Sequence, residues 1–189
     1  MIAFAASILT GSIGVTLMVF GARAIAEKDF VAMAKYLWGG VLLLTASAAI
    51  TFANIGDCSY LLMQASFLVS AGKTWAEKTH ITKTRNWWPL WAAVLLNALL
   101  VVSGLFWGIV ASVPTMVQVL GAAAISSALA MESKQRMLMF FIVGRAGMLV
   151  ASVLKFSMDY TNAAAFVWIC LMSWAMVDNL IQLKKVNRW

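Results

Sequence analysis

Apolar residues run along this chain in blocks too long and too unbroken for one face of a soluble helix. Seven blocks can be marked, at 2–22, 33–54, 57–74, 87–110, 113–131, 137–156 and 160–183. Each is close to the roughly 20 residues that a helix needs to cross a bilayer. Polar residues collect in the short connections between them. The pattern predicts an all-α membrane protein with seven transmembrane helices. Pro89 and Pro114 both fall at block starts, where the missing N–H would be unbonded anyway.

Composition agrees with the pattern. Hydrophobic residues make up 63% of the 189, and charged residues only 11%; a soluble domain keeps about a quarter of its residues charged. Mean hydropathy is +0.89. Little chain is left outside the bilayer, so no soluble catalytic domain is expected. "GARAIA" offers an Ala22-x-Ala24 pattern, but no positive charge precedes the first block, while Arg23 and Lys28 follow it. That is the reverse of a cleavable signal, and the block reads as a retained first helix.

The net charge of +7 is written between the blocks, not along one face. Arg23, Lys28 and Lys35 follow the first block, and Lys73, Lys78, Lys83 and Arg85 the third. Lys134 and Arg136 follow the fifth, and Lys184, Lys185 and Arg188 the seventh. The second and fourth connections carry no basic residue, and the sixth carries only Lys155, beside Asp159. Such alternation orients a protein in its membrane. It predicts an outside N-terminus and a cytoplasmic C-terminus, and it implies lipid, not nucleic acid, as the partner of these charges. Trp87, Trp88 and Trp91, with Trp75 and Trp189, read as interface belt residues.

Sliding the chain by 105 residues places Glu27 on Glu132, Gly39 on Gly144, Leu44 on Leu149, Ala46 on Ala151 and Ser47 on Ser152. Asp57 falls on Asn162, each a candidate helix N-cap. The same shift lays blocks one, two and three on five, six and seven. The expected organisation is a first three-helix repeat with its connection (1–80), a linker helix (81–111) and a second three-helix repeat (112–189). Three spans plus one linker span bring in the second triplet with the first one's orientation. In transporters built from such parallel repeats, the solute site lies at the repeat interface near the midplane.

This layout resembles the SWEET sugar transporters and the PnuC vitamin-precursor transporters. The stretches "PTMVQVLGAAAISSALAMESKQRM" and "FVWICLMSWAMVDNLIQLKK" are most similar in layout to the small YgjV-type bacterial inner-membrane proteins. The resemblance implies a multi-pass protein of the bacterial inner membrane. It carries over no solute residue: the "YGWW"-like element of PnuC-type helices and the adjacent Pro-Gln of SWEET-type helices are both missing here.

Candidate chemistry lies in the few polar residues inside the blocks. Arg145 is buried in the sixth, where an arginine costs about 2.5–3.5 kcal/mol on insertion scales. Asp178, in the seventh, is the acid expected to pair with it, with Asn179 or Glu132 joining them. The pair would either fix helix register only, or present Arg145 to an anionic group or to a cytoplasmic gate. Gln64, Asn97, Gln118 and Trp168 are the expected solute contacts beside Arg145, with Ser66, Ser126 and Ser173 as further polar positions. Glycines Gly11, Gly14, Gly21, Gly39, Gly40, Gly144 and Gly147, and Gly104-x-x-x-Gly108, read as close-packing positions.

No cofactor or metal is implied. His80 has no Cys, Asp or Glu at ligand spacing, Cys58 and Cys170 form no C-x-x-C pair, and no Walker loop is present. The chain holds no constellation expected of an enzyme. Two readings remain: a transporter moving a small polar solute by alternating access, or a scaffold, assembly or exclusion-type protein bound to another membrane protein or to a second copy. A polar pocket between the triplets favours the first; solid packing there favours the second.

Overall fold

The computed structural model describes residues 2–55, 59–78, 88, 90–92, 94–96, 98–99, 113–131 and 133–187. Six helices have full bounds: α1 (Ile2–Ala26), α2 (Phe30–Ile55), α3 (Ser59–Lys78), α5 (Val113–Ala128), α6 (Lys134–Met158) and α7 (Ala163–Val186). Between α3 and α5, α4 is helical at each described position, 88, 90–92, 94–96 and 98–99. No strand occurs among the described residues.

Four of these helices, α1, α2, α6 and α7, are long and apolar enough to cross a membrane. The chain is a multi-pass helical membrane protein. α5 is apolar but has only 16 described residues, and the last part of α3 carries Lys73, Glu77 and Lys78. Lys73 Nζ meets Glu77 Oε1 at 2.5 Å, one turn on.

The helices run past the apolar blocks that announced them. α1 continues to Ala26, α2 begins at Phe30, and α6 spans Lys134–Met158. Hydropathy marks where lipid tails end, whereas the backbone ladder continues into the polar zone. Inside lipid only internal bonding satisfies backbone groups, and hydroxyls join in. Those of Thr10, Thr45 and Ser152 donate to the carbonyls of Ala6, Val41 and Met148, one turn back.

The turn from α1 to α2 is held by two crossed backbone bonds. Asp29 N–H donates to Ala24 O at 3.0 Å and Lys28 N–H to Ile25 O at 3.3 Å. This pattern needs a left-handed residue after the helix; Lys28 supplies it at φ 65°. Asp29 Oδ1 then accepts from Ala32 N–H at 2.8 Å and starts α2. At the other end of the bundle, Asn162 caps α7 by accepting from Ala165 N–H at 3.0 Å, as its sequence position predicts; Asp57 lies outside the described residues.

Packing closes a ring. Each helix touches the next in the order α1, α2, α3, α5, α6, α7, and α7 returns to α1. Two junctions are made by facing glycines. A Cβ on Gly14 would stand 2.8 Å from Gly40 O, and one on Gly40 would stand 2.8 Å from Gly14 O. In α5 and α6 the same reciprocity holds for Gly121 and Gly144, at 2.6 Å each way. At these crossings two backbones meet directly, and no larger residue fits. Gly39, expected here from the sequence, faces only Leu17 Cδ1 at 3.5 Å. Gly104 and Gly108 lie outside the described residues.

Candidate functional site

The ring encloses a cavity of about 520 Å³, to which all six of its helices contribute. The lining lies toward one end of each long helix: the start of α1 (Ala3, Phe4, Ser7), the end of α2 (Ser47, Thr51, Asn54), the end of α6 (Ser152, Lys155) and the start of α7 (Asn162, Ala164). On α1 it descends from Ala3 to Met18, about 22 Å at 1.5 Å per residue. The cavity thus reaches from one end of the bundle past its middle. Beyond it the core is packed: Ala22, Ile25, Met33, Leu37, Leu138 and Phe141 are each at most 1% exposed.

Arg145 lies at depth. It is the twelfth residue of α6 and is 2% exposed. Its Nη1 donates to Ala175 O on α7 at 2.7 Å, and its guanidinium carbon stands 5.7 Å from the centre of the Phe141 ring. Nη2 is buried and has no hydrogen-bond partner. Gln64, on α3, is 6% exposed, and its Oε1 also lacks a partner. The Trp168 ring lies against Gly11, where a Cβ would be 3.2 Å from Trp168 Cζ2. Lys155, nearer the mouth, donates from Nζ to Gln118 Oε1 at 2.6 Å. No carboxylate belongs to the lining among the described residues.

Arg145, Gln64, Gln118 and Trp168, four of the five expected solute contacts, therefore share one cavity. Asn97 lies outside the described residues. The expected Arg145–Asp178 ion pair is not formed. Asp178 Oδ1 is taken instead by Arg23 of α1, whose Nε and Nη2 are both 2.9 Å away. The reason is axial level. Arg145 meets α7 at Ala175, and Asp178 lies three residues further on, about 4.5 Å along the helix. Arg23 arrives at that level from the last turn of α1. Asn179 joins neither cation: both of its amide atoms are buried without a partner. Glu132 lies outside the described residues.

Several lining residues carried no sequence signal. Ser7 and Ser47 donate to each other's carbonyls, at 3.1 and 2.7 Å, and Thr51 Oγ1 is 2.8 Å from Ser7 Oγ. Lone hydroxyls are common in membrane helices; only the α1–α2 register brings these three together. Lys155 was legible only as a charge beside a connection. Ser66 and Ser126 are buried but outside the lining.

The end opposite the mouth gathers basic residues. Lys78 of α3 and Lys134 of α6 both lie over the ring of Phe30, at 5.0 and 5.3 Å. The end of α3 and the starts of α2 and α6 are therefore together there, near Arg23. No protein family, curated protein or solved structure matches this chain.

Proposed function

We propose that this protein is a small transporter that moves a small polar solute across its membrane by alternating access. The observation that carries the reading is a cavity inside a six-helix ring, reached from one end and sealed at the other. Its volume falls in the 300–1,000 Å³ range of small-molecule sites. Solid packing there would favour the scaffold reading.

The proposed architecture is two like-oriented triplets, α1–α3 and α5–α7, with α4 as the linker and seven spans in all. Three relationships support it. Exchanging the triplets maps each contact of the ring onto another. The glycine crossing at Gly14 and Gly40 has its counterpart at Gly121 and Gly144. The second helices start at Phe30 and Lys134, 104 residues apart, the same spacing as Gly40 and Gly144. In this register Arg145 corresponds to Val41, not to Gly40 as a shift of 105 has it, and Gly144 to Gly40 instead of Gly39. One half carries a buried cation where the other carries a valine.

Basic residues gathered at the sealed end favour a cytoplasmic location for it, with the N-terminus and the cavity mouth outside, in a plasma-type membrane. This is the topology of SWEET- and PnuC-like transporters. In this reading the Arg23–Asp178 pair is the inner latch, because it ties the first helix of one triplet to the last of the other.

Thiol accessibility tests the proposal without a known solute. In a background with Cys58 and Cys170 replaced by alanine, Thr51→Cys should react from outside with a membrane-impermeant methanethiosulfonate. Ala22→Cys should resist it from the cytoplasmic side until Asp178→Asn releases the latch. If Thr51→Cys reacts only from the cytoplasmic side, the orientation is wrong. If Ala22→Cys stays inert whatever is done to the latch, no inward-open state exists and transport is excluded.

A further inference from the structure

The cavity brings together two cations and, among the described residues, no acid. Lys155 is ten residues from Arg145 on the same helix, about 15 Å, so one small solute does not bridge them. The deep position is therefore governed by Arg145 alone. A buried guanidinium without a counter-charge is unfavourable in a medium of low dielectric. The acid that acts on it through space is Asp178, which forms no ion pair with it: its Oδ1 is bound to Arg23 and its Oδ2 is buried without a partner. Ala175 O takes one hydrogen of Nη1. A guanidinium has five N–H donors, so four remain after the bond to Ala175 O, and Nη2 is buried without a partner. Adjacent N–H groups of a guanidinium form a fork, the shape that a carboxylate meets with two parallel bonds.

The rest of the lining is largely apolar. Phe67, Met63, Met148, Met172 and Trp168 all belong to it. Methionine side chains adapt to irregular shapes and make favourable contacts with aromatic rings. These walls suit an apolar or aromatic body more than a hydroxyl-covered one.

We propose that the solute is a small organic monocarboxylate, its carboxylate held by the Arg145 fork and its apolar body lying among Trp168 and the methionines. This rests on the transport reading for movement, but not for binding. Lys155 at the mouth draws the anion in and leaves it at Arg145. Because arginine stays protonated at any working pH, affinity should not change between pH 6 and 8 for an acid already ionised there.

The test is binding of benzoate, benzamide and benzylamine to the full chain in nanodiscs at fixed ionic strength, read by calorimetry and thermal shift. Benzoate should bind about tenfold tighter than benzamide or more, as expected for a hydrogen-bonded pair with a charged group, and benzylamine should not bind. Arg145→Gln should abolish the preference for benzoate. Arg145→Lys, which keeps the charge and loses the fork, should retain part of it, and it serves where the glutamine variant does not fold. Lys155→Gln should slow association and leave the preference in place. Equal binding of benzoate and benzamide, no binding of benzoate, or a preference that survives Arg145→Gln would each overturn the assignment.

Flux in proteoliposomes separates the two ideas. Benzoate bound at Arg145 without any flux keeps the site and removes the transporter. Flux of a neutral solute with no carboxylate preference keeps the transporter and removes the site.

Discussion

Asp178 on the last helix binds Arg23 on the first, and leaves the arginine of the neighbouring helix, Arg145, to a backbone carbonyl. One carboxylate thus stands between two cations and sides with the one at its own level. Arg23 is also braced by Phe20, whose ring centre is 5.5 Å from its guanidinium carbon.

This choice can be measured by double-mutant cycles. The Arg23 side chain is 39% exposed, against 7% for Asp178, so water screens the pair and its coupling should be about 1 kcal/mol. Asp178→Asn should cost more than Arg23→Gln, because it removes the acid that acts on the buried Arg145 as well as the partner of Arg23. Thermal unfolding in detergent would report both. A larger coupling of Asp178 to Arg145 than to Arg23 would show that the pairing is misassigned.

Two adjacent glycines should behave very differently. Gly40→Ala puts a methyl 2.8 Å from the Gly14 carbonyl, which is backbone and cannot swing away. Gly39→Ala meets only a leucine methyl at 3.5 Å. The first should destabilise by about 1–3 kcal/mol and the second should be close to neutral. Gly144→Ala should repeat the loss on the other side of the ring, where the Gly121 carbonyl is 2.6 Å away. Equal effects at 39 and 40 would place the crossing one residue out.

Lys28 occupies a left-handed conformation, φ 65°, that favours glycine. Lys28→Gly should therefore raise stability by up to about 1 kcal/mol, seen as a higher Tm, with no change at the cavity. A lower Tm would mean that the lysine side chain contributes more than its backbone costs.

In the α6–α7 turn the Thr161 hydroxyl and backbone N–H both donate to Asp159 Oδ1, at 2.6 and 3.0 Å, and hold this carboxyl below its ordinary pKa. A carboxyl depressed in the folded state stabilises it above the unfolded pKa, and the effect fades as pH falls through the folded value. Thr161→Ala should return the Asp159 titration, followed by carboxyl NMR, toward the ordinary aspartate value. An unmoved titration would mean that the turn does not form.

Much of the scaffold was legible in the residues. The long apolar blocks placed all six fully bounded helices, and Asn162 announced its own capping role. Arg145, Gln64, Gln118 and Trp168 could be picked out because polar or ring-bearing groups within apolar runs are few. Their common cavity could not be read. Nor could the hydroxyl cluster of Ser7, Ser47 and Thr51, since each member alone is an ordinary residue of a membrane helix. The acid partner was misjudged although the levels were not: α6 begins three residues before its block and α7 ends three residues after its block, so both depths shift together. What counting along two helices could not supply was Arg23, a third helix's cation that stands at the level of Asp178.

What the sequence determined by itself was the material: a helical, multi-pass membrane protein, because only long apolar runs can carry a backbone through lipid. What the tertiary structure alone decided was rotation and level. A helix that is apolar on every side does not say which face meets its neighbour, so the choices of Gly40 over Gly39 and of Arg23 over Arg145 arise only when the helices touch.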